Sequence, residues 1–287
     1  MTHRETQTAD PNAIALPEIG KRIQVGDCEI NYHDIGSGEA VLLIHGSGPG
    51  VTAWANWRGV IPALSERVRV IAPDMLGFGY TRCPSGKKLD THAWVNQLLD
   101  LLDALDIKQV SVVGNSFGGA IALALAHRYP TRVKRLLLMG AVGVSFPLSH
   151  GLNLVWGYQP SIPAMTELMK VFAYDQSLIN DDLVAMRYAA SIRDDVQTRF
   201  AQLFPEPRQQ GIEMLALDES ALRALPHRTL IVHGRDDQVI PLEVSERMVR
   251  LIPRADLHVF GECGHWVQIE RQAAFSSLVL EFLCSNA

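Results

Sequence analysis

A serine flanked by glycines stands out as a candidate nucleophile. The segment Gly114-Asn115-Ser116-Phe117-Gly118 follows an apolar run of strand length at 110–113 and precedes a run of helix formers at 119–126. The turn from strand to helix at such an elbow is so sharp that small residues must flank the serine, whose hydroxyl is held out at the end of the sheet. This context predicts a catalytic serine at position 116, with an ordinary glycine-rich turn as the alternative.

A serine hydroxyl needs a base to take its proton, and the base needs a third group to orient it. When the serine lies on such an elbow, the chain order is serine, acid, histidine. Asp237 follows the apolar run 229–232 and lies four residues before Pro241, whereas the adjacent Asp236 is interpreted as a solvated neighbour. His265 lies in a Gly-His loop after the last apolar run. Three loops in this order, each at a strand end, predict a Ser116–His265–Asp237 triad.

A glycine-rich loop, His45 to Gly50, follows the apolar run 40–44 and could supply the donors that an acyl-transfer site needs. Backbone N–H groups of such a loop can approach a developing oxyanion closely. We predict that the backbone amides of Ser47 and Phe117 form this oxyanion hole and that His45 braces the loop. A phosphate-binding loop is excluded, because the segment has neither the Walker Gly-Lys-Ser/Thr ending nor the G-x-G-x-x-G spacing.

The elements that must position these residues alternate between strands and helices. Strands are predicted at 29–35, 40–44, 68–72, 110–113, 133–139, 229–232 and 255–260, and helices at 94–105, 242–251 and 271–283. The run 40–44 is continuously apolar, as expected of a strand covered on both faces, whereas 29–35 alternates like an early antiparallel strand. This order predicts an α/β fold with a mostly parallel sheet and helices on both faces.

The alternation fails between about residues 143 and 208. This stretch is rich in Met, Tyr, Phe and Pro, has helical patches at 164–172 and 181–192, and contains no convincing strand. We interpret it as a helical lid that is inserted between two core strands, shields the elbow from water and supplies much of a substrate pocket. The predicted organisation is therefore a core at 1–142, a lid at 143–208 and a second part of the core at 209–287. A passive insertion is the alternative.

Composition excludes several classes of protein. The formal net charge of -5 and the scattered basic residues give no reason to expect nucleic-acid binding. No stretch reaches the roughly 18 apolar residues of a membrane span, and the polar segment 1–10 reads as a tail rather than a signal peptide. The four cysteines are far apart and fit neither a disulfide framework nor a zinc site: Cys28, Cys83, Cys263 and Cys284. We expect reduced thiols in a cytoplasmic protein, without a metal or a cofactor.

At this level of detail the chain resembles the α/β-hydrolase superfamily over almost its whole length. More narrowly, it resembles the meta-cleavage product hydrolases, which include the 2-hydroxymuconic semialdehyde hydrolases. The core segments that carry the resemblance are 43–50, 55–58, 72–79, 113–119 and 263–266, and those of the lid are 155–158, 172–178 and 186–188. The agreement inside the lid matters most, because lids vary far more than the core in this superfamily.

The resemblance implies an α/β-hydrolase fold with an eight-stranded sheet and cofactor-independent cleavage of a carbon–carbon bond in a 2-hydroxy-6-oxo-2,4-dienoate. The products would be a 2-hydroxypenta-2,4-dienoate and a carboxylic acid. Ser116 would attack the C6 ketone, while Arg187 matches the family's lid arginine and would pair with the substrate carboxylate. Gly48, Asn56, Asn115 and Trp266 match further substrate-contact positions of the family, and Phe172 is a candidate for the pocket wall.

Two other functions remain open from the sequence. An ordinary carboxylesterase would use the same triad, and a non-catalytic ligand receptor could share the fold. The group at C6 of the substrate, the choice between an acyl-enzyme and direct attack by water, and the oligomeric state are also open. Relatives are commonly homodimers or higher homo-oligomers, so a homo-oligomer without nucleic-acid or membrane partners is expected.

Overall fold

A single sheet of eight strands organises the chain in this computed structural model, which describes residues 16–285. In chain order the strands are β1 Lys21–Val25, β2 Cys28–Ile35, β3 Ala40–Ile44, β4 Arg69–Pro73, β5 Val110–Asn115, β6 Val133–Met139, β7 Arg228–Gly234 and β8 Ala255–Phe260. Their order across the sheet is β1-β2-β4-β3-β5-β6-β7-β8. β2 is antiparallel to both β1 and β4, and all other neighbouring pairs are parallel. The predicted, mostly parallel eight-stranded sheet is confirmed.

Helices cover both faces of this sheet. One face packs against α1 Ala53–Trp57, α2 Ile61–Ser65 and α13 Gln272–Cys284, and the other against α3 Thr91–Ala104, α4 Phe117–Arg128 and α11 Leu242–Leu251. Successive residues of β3 therefore enter different cores: Leu43 joins the first and Leu42 the second. Because the residues that point to each face of the sheet are buried, the sequence of this strand is a continuous apolar run.

Between β6 and β7 the chain forms helices and no strand. They are α5 His150–Trp156, α6 Ile162–Phe172, α7 Asp181–Ile192, α8 Val196–Leu203, α9 Gln209–Leu215 and α10 Glu219–Arg223. The side chains of Ser149, Ser161 and Asn180 accept backbone hydrogen bonds at the starts of α5, α6 and α7, as typical N-caps do. The first four of these helices fall within the segment predicted to be a lid.

Two of the four cysteines form a disulfide, and the prediction of four reduced thiols is wrong. The sulfur atoms of Cys28 and Cys83 lie 1.96 Å apart, although 55 positions separate these residues in the chain. Glu29 and Arg82, next to them, exchange two backbone hydrogen bonds of 2.9 Å and so bring the cysteines together. A contact made by folding across such a distance leaves no spacing motif in the sequence. Cys263 and Cys284 are free thiols.

The segment 1–10, predicted to be a polar tail, lies outside the described residues. Among residues 16–285, no helix is both long and apolar enough to span a bilayer.

Candidate active site

Ser116 lies at the tip of the turn between β5 and α4, and the turn has the predicted elbow geometry. Its backbone adopts φ 55° and ψ -116°, a conformation that non-glycine residues rarely occupy. A Cβ atom at Gly114 would lie 2.4 Å from the carbonyl oxygen of Gly118, and one at Gly118 would lie 2.3 Å from that of Ile44. Both glycines are therefore required for the chain to turn here. The Ser116 amide donates to the Met139 carbonyl (2.8 Å) on the neighbouring strand, which fixes the turn.

Asp237 and His265 meet at the adjacent strand ends. Asp237 follows β7, His265 follows β8, and Nδ1 of the imidazole lies 2.7 Å from Oδ2 of the carboxylate. The second carboxylate oxygen accepts the backbone N–H groups of Val239 (2.7 Å) and Ile240 (3.0 Å). Burial by itself would raise the pKa of Asp237, but His265, His233 and these backbone donors outweigh it and hold the pKa below its usual value. The carboxylate is thus ionised and fixed, as an orienting acid must be.

This pairing determines which nitrogen of His265 can act as a base. An ionised carboxylate beside Nδ1 requires a proton on that nitrogen, so the lone pair of the neutral ring is on Nε2. The backbone N–H of His265 donates to the Phe172 carbonyl (2.8 Å), and the Phe172 ring stacks on the imidazole with centroids 5.7 Å apart. Ser116 and His265 line the same cavity, but between these two described side chains there is no direct hydrogen bond.

The loop after β3 presents unused backbone donors beside Ser116. Among the described residues, the N–H groups of Ser47 and Phe117 donate to no acceptor. His45 braces this loop: its Nε2 accepts the N–H of Met75 (3.0 Å), so its protonated Nδ1 donates to the Gly46 carbonyl (2.7 Å). Burial lowers the pKa of His45 to about 4, which keeps the ring neutral at pH 7. The two free amides have the chemistry that an oxyanion hole needs.

These groups surround a cavity of about 50 Å³, here called the inner cavity. Its apolar wall comes largely from α5 and α6 and consists of Leu152, Val155, Met165, Leu168, Met169, Phe172 and Val239. The remaining lining residues are Gly46, Ser47, Gly48, Pro49, Val51, Asn56, Asn115, Ser116, Arg187, His265 and Trp266. All six residues that the sequence nominated for substrate contact thus lie on this one cavity: Gly48, Asn56, Asn115, Phe172, Arg187 and Trp266.

Arg187 is the cationic group of the inner cavity. Its Nη2 donates to the carbonyl of Pro49 at 3.2 Å, which is the guanidinium's one hydrogen bond to residues 16–285, and it has no ion pair there. The residue as a whole is half-buried, and desolvation of its guanidinium lowers the pKa. A guanidinium has five N–H donors and stays charged in proteins. Arg187 is therefore a cation with unused donors that face the cavity of Ser116.

Two residues outside the predicted set also shape the site. Trp156 of α5 donates from Nε1 to the hydroxyl of Ser47 (3.0 Å) and so connects the inserted helices to the glycine-rich loop. Gly140 lies behind the acid–imidazole pair, where a Cβ would be 3.2 Å from both Asp237 Oδ2 and His265 Nδ1. Neither contact has a local sequence signal. The spacing of Met165, Met169 and Phe172 on one face of α6, by contrast, could have indicated a pocket wall.

The model of the alpha/beta hydrolase family matches residues 41–278. The chain belongs to the alpha/beta hydrolase family. It is 56% identical over 269 residues to 2-hydroxy-6-oxo-2,4-heptadienoate hydrolase of Pseudomonas putida strain F1, covering 94% of this chain and 98% of that protein. It is 55% identical to 2-hydroxymuconate semialdehyde hydrolase of Pseudomonas sp. strain CF600, covering 93% of this chain and 94% of that protein.

A solved structure gives the same result. The meta-cleavage product hydrolase of Pseudomonas fluorescens IP01, crystallised as a serine-to-alanine mutant complexed with acetates, matches with a TM-score of 0.92 and 53% identity. The match covers 93% of this chain and 98% of that one. The resemblance to serine-dependent meta-cleavage product hydrolases that the sequence indicated is confirmed.

Proposed function

We propose that this enzyme hydrolyses the C5–C6 bond of 2-hydroxy-6-oxo-2,4-dienoates, the ring-fission products of aromatic catabolism. The observation that carries the proposal is the Arg187 guanidinium, which faces the cavity of Ser116 and His265 and is paired with no carboxylate of residues 16–285. Such a cation favours an anionic substrate, because a substrate carboxylate would supply the missing hydrogen bonds and charge. The names of the two relatives specify substrates of this class.

The substrate's own chemistry sets the order of steps. A carbon leaving group must be stabilised, so the dienol first ketonises: the 2-hydroxyl loses its proton and C5 gains one. Nucleophilic attack on the C6 carbonyl then gives a tetrahedral oxyanion. When the C5–C6 bond breaks, its electron pair is delocalised over C5 to C2 and the C2 oxygen, and protonation of that oxygen yields 2-hydroxypenta-2,4-dienoate. Water then hydrolyses the acyl group that contains C6, and this group leaves as a carboxylic acid.

Each step has a residue to perform it. Arg187 binds the carboxylate and orients the C2 oxygen, while Ser116 attacks C6. His265 carries the proton of the 2-hydroxyl to C5 during ketonisation. Its Nε2 then takes the serine proton and gives it to the C2 oxygen of the leaving group, and later takes a proton from water and returns it to Ser116. Asp237 stabilises the imidazolium in each case. The Ser47 and Phe117 amides stabilise the oxyanion. The serine–histidine hydrogen bond forms in the substrate complex, since such contacts often tighten only there.

The proposed group at C6 is small, hydrogen or methyl. The inner cavity has a volume of about 50 Å³. An apolar cavity of about 150 Å³ is known to hold benzene, so a phenyl group at C6 would require a larger displacement of the wall than hydrogen or methyl would. The names of the relatives support this proposal: a heptadienoate has one carbon beyond C6, and a muconate semialdehyde has hydrogen there.

A paired assay tests the proposal against the alternative of a carboxylesterase. We expect rapid loss of the absorbance of 2-hydroxy-6-oxohepta-2,4-dienoate, with one equivalent of acetate released per molecule cleaved. A neutral p-nitrophenyl ester, which has no carboxylate for Arg187, is expected to turn over far more slowly. Efficient ester hydrolysis with an inert dienoate would refute the proposal and favour the esterase.

The cytoplasmic location and the homo-oligomeric state remain predictions. The disulfide between Cys28 and Cys83 removes the support that four reduced thiols would have given to a cytoplasmic location. We propose a homodimer or larger homo-oligomer, which light scattering of the purified enzyme would test directly.

A further inference from the structure

A second cavity of about 280 Å³ adjoins the inner one and is here called the outer cavity. It lies between α1, α7 and the segment from Trp266 to Gln272. Val51, Asn56, Arg187 and Trp266 line both cavities, so these four side chains form the wall between them. Arg187, the residue proposed to bind the substrate carboxylate, can therefore be reached by a ligand in the outer cavity as well as by one in the inner cavity.

The outer cavity has the charge that attracts a small anion. Arg58 lines it and is exposed, and its guanidinium has no hydrogen bond or ion pair within residues 16–285. Arg187 forms its base. The acid on its lining, Glu18, is already engaged: its carboxylate lies 3.5 Å from the guanidinium of Arg193 and accepts a hydrogen bond from Thr52 (3.3 Å). Two arginine cations therefore face this space with one partly neutralised carboxylate.

The same cavity also offers apolar surface and unpartnered polar atoms. Met186 and Ile269 line it and are 45% and 41% exposed, so they offer apolar surface to a ligand in this cavity. Gln268, only 2% exposed, has an Oε1 atom without a hydrogen-bond partner among the described residues, and Nδ2 of Asn56 lacks one too. Buried polar atoms normally have partners, so unpartnered ones that line a cavity indicate a ligand.

These features fit one ligand chemistry: a carboxylate, an adjacent hydroxyl and a flat apolar chain. A 2-hydroxydienoate has all three. Arginine would bind its carboxylate, the carbonyl oxygen of Gln268 would accept its hydroxyl, and Met186 and Ile269 would cover its chain. The inner cavity, at about 50 Å³, also leaves little room for a whole substrate molecule unless the shared wall moves.

We propose that the outer cavity is the entry site for the dienoate, with Arg58 as its first anion contact and Arg187 as its second. The proposal rests on the proposed function, because it takes that substrate as the ligand. The incoming carboxylate meets Arg58 at the surface and then replaces the Pro49 carbonyl as the partner of Arg187. With the carboxylate held by Arg187, the C6 end of the substrate then moves past Asn56 and Trp266 into the inner cavity.

The test is the association rate of 2-hydroxy-6-oxohepta-2,4-dienoate with the Ser116→Ala enzyme, followed by stopped-flow absorbance. Arg58→Gln is expected to lower the association rate constant about three- to tenfold at low ionic strength and much less in 0.5 M salt. The dissociation rate should change little. Arg67→Gln is the matched control. This exposed arginine lies just before the amino end of β4, whereas Ser116 lies at the carboxyl end of β5, and its loss should change the rate less than twofold. A second variant, Met186→Trp, should slow both association and dissociation by narrowing the entrance.

Unchanged association in both Arg58→Gln and Met186→Trp, or an equal loss in Arg67→Gln, would overturn the entry site. Turnover of the same dienoate by the wild-type enzyme is measured in parallel. A lack of cleavage would refute the proposed function itself, whereas normal cleavage with unaffected association in the variants would refute the entry site alone. A neutral p-nitrophenyl ester provides a charge control, since Arg58→Gln should lower the association rate of the dienoate more than the kcat/KM of the ester.

Discussion

Replacement of Arg187 tests the assignment of substrate charge. The guanidinium makes one hydrogen bond to protein, to Pro49, so up to four of its five donors are available to a ligand. Loss of one partner of an enclosed, hydrogen-bonded charge pair costs about 2–5 kcal/mol. Taking about 3 kcal/mol, Arg187→Gln should lower kcat/KM for a dienoate about 150-fold. A neutral ester makes no such pair and should lose less than about threefold.

The assay is initial-rate turnover of a C6-methyl dienoate and of p-nitrophenyl acetate by the same preparations. Arg187→Lys is the conservative control: it keeps the charge but not the planar two-pronged donor, so it should recover part of the lost activity on the dienoate. Thermal unfolding of each variant checks that the fold is retained. Equal losses on both substrates would show that Arg187 supports the structure rather than binding the carboxylate.

Three further predictions concern stability and specificity. The folded state keeps His45 neutral down to about pH 4, whereas the unfolded chain protonates it near pH 6.5. The contribution of His45 to the free energy of unfolding is therefore complete above pH 6.5 and declines by about 2 kcal/mol between pH 7 and pH 5. Urea unfolding at the two pH values should show that His45→Gln lacks this loss. Burial raises the pKa of Asp74 to about 6, which stabilises the fold as the pH falls, but this effect is common to the wild type and the variant and cancels when the two are compared. Cys83→Ser opens a 55-residue loop and should lower the free energy of unfolding by up to about 4 kcal/mol in non-reducing urea titrations. The control Cys284→Ser should change it by less than about 0.5 kcal/mol, and equal effects of the two variants would contradict a stabilising cross-link. Met169→Ala enlarges the inner cavity and should raise the ratio of C6-phenyl to C6-methyl turnover at least about tenfold. Met186→Ala, outside that cavity, should leave the ratio unchanged, and an unchanged ratio in Met169→Ala would show that Met169 does not contact the C6 group.

The strands that the sequence reveals are those with apolar runs, both the buried β3 and β6 and the partly exposed edge strand β8. β3, β6 and β8 begin and end at the predicted residues, and the antiparallel β2 begins one residue earlier than predicted. β1 was missed because its residues, KRIQV, are mostly exposed at the sheet edge and mark no apolar run. An edge strand needs only one partner strand, so its sequence is less constrained.

The helix predicted at 271–283 is confirmed as α13, with each end one residue later, and a short helix that was not predicted precedes it. The chain forms α12, Val267–Glu270, and then α13, which starts at Gln272. Glu270, at the break, accepts the N–H group of Gly264 (2.7 Å) with one carboxylate oxygen and those of Tyr174 and Asp175 (2.8 Å each) with the other. The residue thus connects the histidine loop to the inserted helices. Sequence spacing cannot reveal such a contact between distant segments.

The candidate site likewise combines features that local sequence reveals with contacts that form only on folding. Ser116 is predictable because its elbow is local: two glycines, a strand and a helix suffice. The roles proposed for Asp237 and His265 are inferred from chain order at neighbouring strand ends, and their 2.7 Å contact agrees with that inference. The Trp156–Ser47 hydrogen bond and the disulfide depend on residues brought together only by folding, so no pattern in the sequence indicated them.

The most direct test of the account is turnover of 2-hydroxy-6-oxohepta-2,4-dienoate by the wild-type enzyme and by Ser116→Ala. We expect the variant to bind the dienoate, seen as a shift in its absorbance, while release of acetate falls at least about 10³-fold. Cleavage by Ser116→Ala at a rate close to that of the wild type would contradict the proposal that this serine, with His265 and Asp237, breaks the carbon–carbon bond.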